Sequence, residues 1–133
     1  MENKKGVIFV DDNDLDLMVG ERLVSVIRPD TPLKTFSKGK AFLDWLQSDQ
    51  FDFMFSEVIL LVDIHMPEIS GLEVAKQSHV ILTSKGIIPK IYLLSASVDK
   101  HEVDISFDDS PVSEFIGKPL TKERIIKMLE ENS

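Results

Sequence analysis

The chain has 133 residues, 43% of them hydrophobic, and a formal charge of −8 at neutral pH. That size suits one domain with a real core, and the acidic balance argues against nucleic acid as a direct partner, because phosphate backbones need a clustered basic surface. The chain has no cysteine, which excludes disulfides and thiolate metal sites; it also lacks an N-terminal h-region and any apolar run of membrane length, so no membrane association and a cytoplasmic location are expected.

Short apolar runs alternate with amphipathic segments, the pattern of βα units on a parallel sheet. The first run, Val7-Ile8-Phe9-Val10, predicts a strand over residues 6–10 that ends on Asp11-Asp12. A helix is expected from Asp14 to about Ile27, with Leu15, Val19, Leu23, Val26 and Ile27 on its buried face. Arg28-Pro29-Asp30-Thr31-Pro32 breaks it, and a short second strand follows over residues 33–36. Ser37 is the expected N-cap of a second helix running to Gln47, with Phe42, Trp45 and Leu46 buried. Residues 48–57 hold Phe51, Phe53, Met54 and Phe55 without useful periodicity. They can form a loop into strand three or continue the helix, and the sequence leaves both open.

Strand three, residues 58–62, is apolar throughout and ends on Asp63, before the turn-rich Met66-Pro67-Glu68-Ile69-Ser70-Gly71. Ser70 can cap a helix to about Leu82. Strand four is expected over residues 90–94, followed by Ser95-Ala96-Ser97. Asp99 with Glu102 three residues on predicts a short helix to about Phe107. Asp108-Asp109-Ser110-Pro111 turns into strand five, residues 113–116, and Gly117-Lys118-Pro119 comes next. Thr121 caps the last helix, with Leu120 and Ile125 placed as a hydrophobic staple.

A carboxylate closing a buried strand is costly unless charge partners meet it there. Asp11, Asp12, Asp63 and Lys118 all follow strands, on the sheet edge where open α/β folds bind ligands. Taken singly, each has an ordinary explanation: Asp11-Asp12 as a capping pair, Asp63 as a turn residue, Lys118 and Ser95 as loop residues. Their co-occurrence at four strand ends of one domain outweighs those explanations. If strands one and three are neighbours, the three aspartates offer the hard oxygen ligands that Mg²⁺ takes. An ionised aspartate beside such a cation can act as a nucleophile toward phosphorus. Catalysis then reduces to positioning and charge neutralisation, with the cation, the Lys118 ammonium and the Ser95 hydroxyl each taking one phosphoryl oxygen.

In Val10-Asp11-Asp12, Asp63-Ile64-His65-Met66-Pro67 with Ser70-Gly71, Ser95-Ala96 and Lys118-Pro119, the chain resembles the receiver domains of two-component response regulators. The resemblance covers about residues 6–130 and implies an α/β, flavodoxin-like, doubly wound (βα)5 fold with a five-stranded parallel sheet in the order 2-1-3-4-5. It implies that Asp63 accepts a phosphoryl group from the phosphohistidine of a histidine kinase or histidine phosphotransfer protein. Mg²⁺ would be held by Asp11, Asp12, Asp63 and the backbone carbonyl of His65. Lys118 would pair with Asp63 or its phosphate, and Pro119 would follow a cis bond. Ser95 and Phe115 would be the switch residues, altering the face made by the helix expected over residues 99–107, strand five and the last helix for a downstream protein target. On this reading residues 1–133 form a single receiver, monomeric or weakly dimeric, that catalyses only its own phosphorylation and dephosphorylation. It is either a stand-alone regulator or a piece of a longer hybrid kinase or regulator. A Mg²⁺-dependent phosphatase with an aspartate nucleophile is the competing class, but it typically places a second acid two residues after the nucleophile, where this chain has His65.

Overall fold

In the computed structural model, residues 5–48, 51, 55–96 and 111–131 are described. The elements run β1 (Lys5–Val10), α1 (Asp14–Ile27), β2 (Leu33–Phe36), α2 (Gly39–Leu46), β3 (Glu57–Asp63), α3 (Gly71–Ser84), β4 (Ile88–Ser95), β5 (Val112–Gly117) and α4 (Lys122–Glu131). All strand pairs are parallel, and the order is β2-β1-β3-β4-β5. The short helix expected over residues 99–107 lies outside the described residues. Among those described, no helix is long and apolar enough to cross a membrane.

Alternation along the strands divides the core into two layers. Ile8, Val10, Leu60, Val62, Ile91 and Leu93 face α2 and α3, while Val7, Phe9, Ile59, Leu61, Tyr92 and Leu94 face α1 and α4. Both faces of the central strands are covered, which is why they read as unbroken apolar runs. Leu60 is fully buried, so truncation to alanine would cost about 2–5 kcal/mol.

Two helix expectations need correction. On α1, Leu15, Val19 and Val26 are exposed rather than buried. The helix instead packs through Leu17, Gly20, Leu23, Val24 and Ile27. Gly20 marks the closest approach, because a Cβ there would fall 2.7 Å from the Phe9 ring. Apolar residues surround this helix, and a glycine contact carries no hydrophobic signal, so the sequence pattern was rotated away from the true face. On α2, the N-cap is Lys38 rather than Ser37, and there is no side-chain capping hydrogen bond. Packing against α3 sets that start: a Cβ on Gly39 would lie 2.7 Å from Ile69 and 2.8 Å from Val74. The other predicted caps form as side-chain bonds. Ser70 Oγ accepts the Glu73 N–H at 3.2 Å, and Thr121 Oγ1 accepts the Arg124 N–H at 3.1 Å.

Candidate functional site

Parallel register delivers the strand ends to one edge of the sheet. Val10 pairs with Val62, Asp63 with Leu94, and Ser95 with Gly117. The next residues, Asp11 after β1 and Lys118 after β5, therefore fall beside Asp63 and Ser95. The Lys118 N–H donates to the Ser95 carbonyl at 2.8 Å, and the Lys118–Pro119 peptide bond is cis. On the other side of β4, the Ile64 N–H donates to the Leu94 carbonyl at 2.8 Å, and the Gly71 N–H donates to the Ile64 carbonyl at 2.9 Å. Gly71 is required sterically. A Cβ there would sit 2.1 Å from the Asp63 carbonyl oxygen and 2.7 Å from Ile64 Cα, so only glycine lets α3 begin so close to the end of β3.

Asp11, Asp12 and Asp63 each place a carboxylate oxygen within 4.8 Å of the others. Asp11 is 2% and Asp63 8% exposed, while Asp12 faces solvent. Asp11 Oδ1 accepts the Asn13 N–H at 2.9 Å, and Asp63 Oδ1 accepts the His65 N–H at 3.3 Å. The Lys118 ammonium stands 2.8 Å from Asp11 Oδ2 and 3.6 Å from Asp63 Oδ2. The contact with Asp11 Oδ2 is close in distance but poorly directed, leaving that buried oxygen without a well-formed hydrogen bond.

The electrostatics follow from this crowding. Burial, and then the Asp11 charge, push the Asp63 carboxyl up from an ordinary 3.8 to about 6, against the opposing pull of Lys118 and the His65 N–H. Burial alone would lower the Lys118 ammonium, but its bonds to Asp11 and Asp16 and the charges of Asp11 and Asp63 raise it above the ordinary lysine value. One half-buried cation thus serves several carboxylates. Asp12 lines a cavity of about 310 Å³ together with Ser37, Lys38, Met66 and Glu68 among others.

The structure brings Asp11, Asp12, Asp63 and Lys118 into one cluster, with Ser95 at its edge. The Ser95 side chain is buried at the end of β4. Phe115 is half-buried and packs against the α2–α3 layer of the core. The His65 side chain is exposed. Sequence reasoning missed Asp16, whose carboxylate also takes the Lys118 ammonium. An acid in the first turn of a helix ordinarily answers only the helix dipole, and no spacing rule links Asp16 to a lysine 102 residues away.

Residues 7–130 match the response regulator receiver domain family. Over 72 residues, 53% of this chain, the sequence is 33% identical to the peroxide stress-activated histidine kinase mak3 of Schizosaccharomyces pombe; that stretch is 3% of the kinase. A two-component response regulator from Cytophaga hutchinsonii shares the fold with a TM-score of 0.78, at 22% identity, over 98% of this chain and 97% of its own. The CheX-CheY-BeF3-Mg²⁺ complex from Borrelia burgdorferi aligns with a TM-score of 0.74, at 15% identity, over 97% of this chain and 88% of that one. The family match runs from the first strand to the last helix, and the acids and lysine lie within it: the chain belongs to the response regulator receiver domains of two-component systems.

Proposed function

We propose that Asp63 is the phosphoacceptor of this receiver, taking a phosphoryl group from the phosphohistidine of a histidine kinase or histidine phosphotransfer protein. The observation that carries this is the convergence of three carboxylates on one point with a single lysine beside them. Three carboxylates within 4.8 Å of one another, two of them buried, are the hard oxygen donors that fit a divalent cation such as Mg²⁺. Asp11, Asp12 and Asp63 would hold it, with the His65 carbonyl as a further oxygen. When bound, the cation supplies charge neutralisation for the carboxylates and the phosphoryl oxygens. A Borrelia CheY crystallised with Mg²⁺ and beryllofluoride supports the same reading for this fold.

In the transfer, an Asp63 carboxylate oxygen forms a bond to phosphorus as the bond from phosphorus to the histidine nitrogen breaks. The electron pair leaves with the imidazole. Lys118 offers its ammonium to a phosphoryl oxygen, and the Ser95 hydroxyl offers a second charge-assisted hydrogen bond. Within the chain this chemistry is self-modification, and the signal leaves through a changed protein surface that includes β5 and α4. Partners are therefore proteins, in keeping with the net charge of −8, and a cytoplasmic setting suits a histidine kinase as donor.

Incubation with acetyl phosphate and Mg²⁺, followed by mass spectrometry, tests the assignment. One phosphoryl group is expected on Asp63, and none in Asp63→Asn or in excess EDTA. Undiminished labelling of Asp63→Asn would assign the acceptor elsewhere.

A further inference from the structure

Asp16 lies in the first turn of α1, its own N–H bonded to the Asn13 side chain at 3.1 Å. An acid in this position ordinarily complements the helix dipole and no more. Here the carboxylate reaches across to β5 and binds Lys118 Nζ at 2.8 Å, the same distance as Asp11 and 0.8 Å less than the 3.6 Å to Asp63. Asp16, Asp11 and Lys118 line a small cavity of about 60 Å³ whose other walls include Phe9, Val19 and Leu94. Such walls lower the local dielectric and strengthen the pair relative to one in open water. The ammonium is thus anchored on the α1 side of the site.

We propose that Asp16 is a positioning residue for Lys118, holding its ammonium toward α1 and away from Asp63, and that it thereby slows modification of Asp63 by small anionic phosphodonors. The inference rests on Asp63 as the acceptor. Two effects act in one direction. The lysine must leave a carboxylate before it can serve an incoming phosphoryl group. The charge count also changes: Asp11, Asp12 and Asp63 are balanced by Lys118 and one divalent cation, and Asp16 leaves the loaded set one charge negative, repelling an anionic donor. With acetyl phosphate, an Asp63 oxygen bonds to phosphorus, the phosphorus–oxygen bond to acetate breaks, and acetate departs with the electron pair. No proton transfer or co-reactant is needed.

The experiment compares wild type with Asp16→Asn, Asp16→Ala and Asp16→Glu at saturating Mg²⁺, with the rate of Asp63 modification by acetyl phosphate measured at low and high salt. Asp16→Asn and Asp16→Ala are expected to raise the rate by roughly three- to ten-fold, most strongly at low salt. Asp16→Glu, which keeps the charge, should return toward the wild-type rate. A second readout needs no donor or metal. The Lys118 ammonium resonance of ¹⁵N-labelled protein should shift in Asp16→Asn and move back toward its wild-type position in Asp16→Glu. An unchanged or lower rate in Asp16→Asn would overturn the proposal, as would an unmoved Lys118 resonance. If wild-type Asp63 takes no phosphoryl group at all, the acceptor assignment itself fails and carries this inference with it, an outcome distinct from equal rates in wild type and variants.

Discussion

Lys118 Nζ stands 3.6 Å from Asp63 Oδ2, too far for a hydrogen bond, although it is the nearest cation to that carboxylate in the cluster. Its direct partners are Asp11 and Asp16. Lys118 therefore acts on Asp63 mainly through space, as a charge.

The first prediction follows from that charge. Lys118→Met leaves Asp11 buried without its cation and Asp63 without its main opposing charge. Losing one partner of a largely buried ion pair is costly, so the metal-free variant should be destabilised by about 2–4 kcal/mol. Mg²⁺ should recover part of the loss by mass action, because it neutralises the same acids. Denaturant titrations with and without Mg²⁺ measure both effects. A variant as stable as wild type without Mg²⁺ would mean that Lys118 does not stabilise the cluster.

The pH dependence of the metal-free protein gives the second prediction. The folded Asp63 carboxyl titrates near 6, above its ordinary 3.8. Between those values the folded chain holds a proton there that the unfolded chain lacks, so protons favour folding. Relative to Asp63→Asn, wild type should gain stability as pH falls from 7 toward 4 and lose it as pH rises through 6. The difference should be on the order of 2 kcal/mol. Parallel stability curves for the two proteins across that window would show that Asp63 is not raised.

The sheet was legible because doubly covered strands are apolar at every position, and residues 7–10, 58–62 and 91–94 carry that signature. Once parallel order is granted, residues that follow strands must meet at one edge, which is why the gathering of Asp11, Asp12, Asp63 and Lys118 could be anticipated. What the sequence hid depends on three-dimensional approach. Gly20 and Gly39 locate helix faces by having no side chain, and the pairing of Asp16 with Lys118 spans 102 residues. In the Phe-rich stretch before β3, Phe51 and Phe55 gave no periodicity because their rings pack by tertiary contact. Phe36, Trp45, Phe51 and Phe55 form a chain of rings with centroids 5.2, 5.0 and 5.9 Å apart.

The third prediction concerns Gly71. Alanine there would drive a methyl group into the Asp63 carbonyl, where a Cβ would sit at 2.1 Å. Backbone cannot yield as a flexible side chain can, so α3 must shift away from the end of β3. Gly71→Ala should cost about 1–3 kcal/mol of stability and displace the backbone that carries Asp63 and His65. Weaker Mg²⁺ binding should accompany the loss, seen as a smaller Mg²⁺-induced rise in melting temperature. Full retention of both quantities would mean that this close approach is not a constraint on the site.

The last prediction links the site to the surface proposed to carry the signal. Ser95 ends β4 with a buried side chain, and its carbonyl receives the Lys118 N–H. Phe115 lies on neighbouring β5, opposite Leu93, and packs half-buried against the core layer that contains Leu93 and Val112. A phosphoryl group on Asp63 adds an acceptor that can draw the Ser95 hydroxyl toward it. Space beside β4 then opens to the Phe115 ring. Fuller burial of a ring is worth a kcal/mol or two, enough to move a two-state balance without locking it. Because phenylalanine has no hydroxyl to keep in water, the inward position should be partly populated before modification, and the response should be an increase in an existing state. Beryllofluoride with Mg²⁺ should therefore shift amide resonances at Asp63, Lys118, Phe115 and along α4. In Ser95→Ala the shifts near Asp63 should persist while those at Phe115 and α4 fall by at least half. Equal responses in the two proteins would place the coupling elsewhere than Ser95.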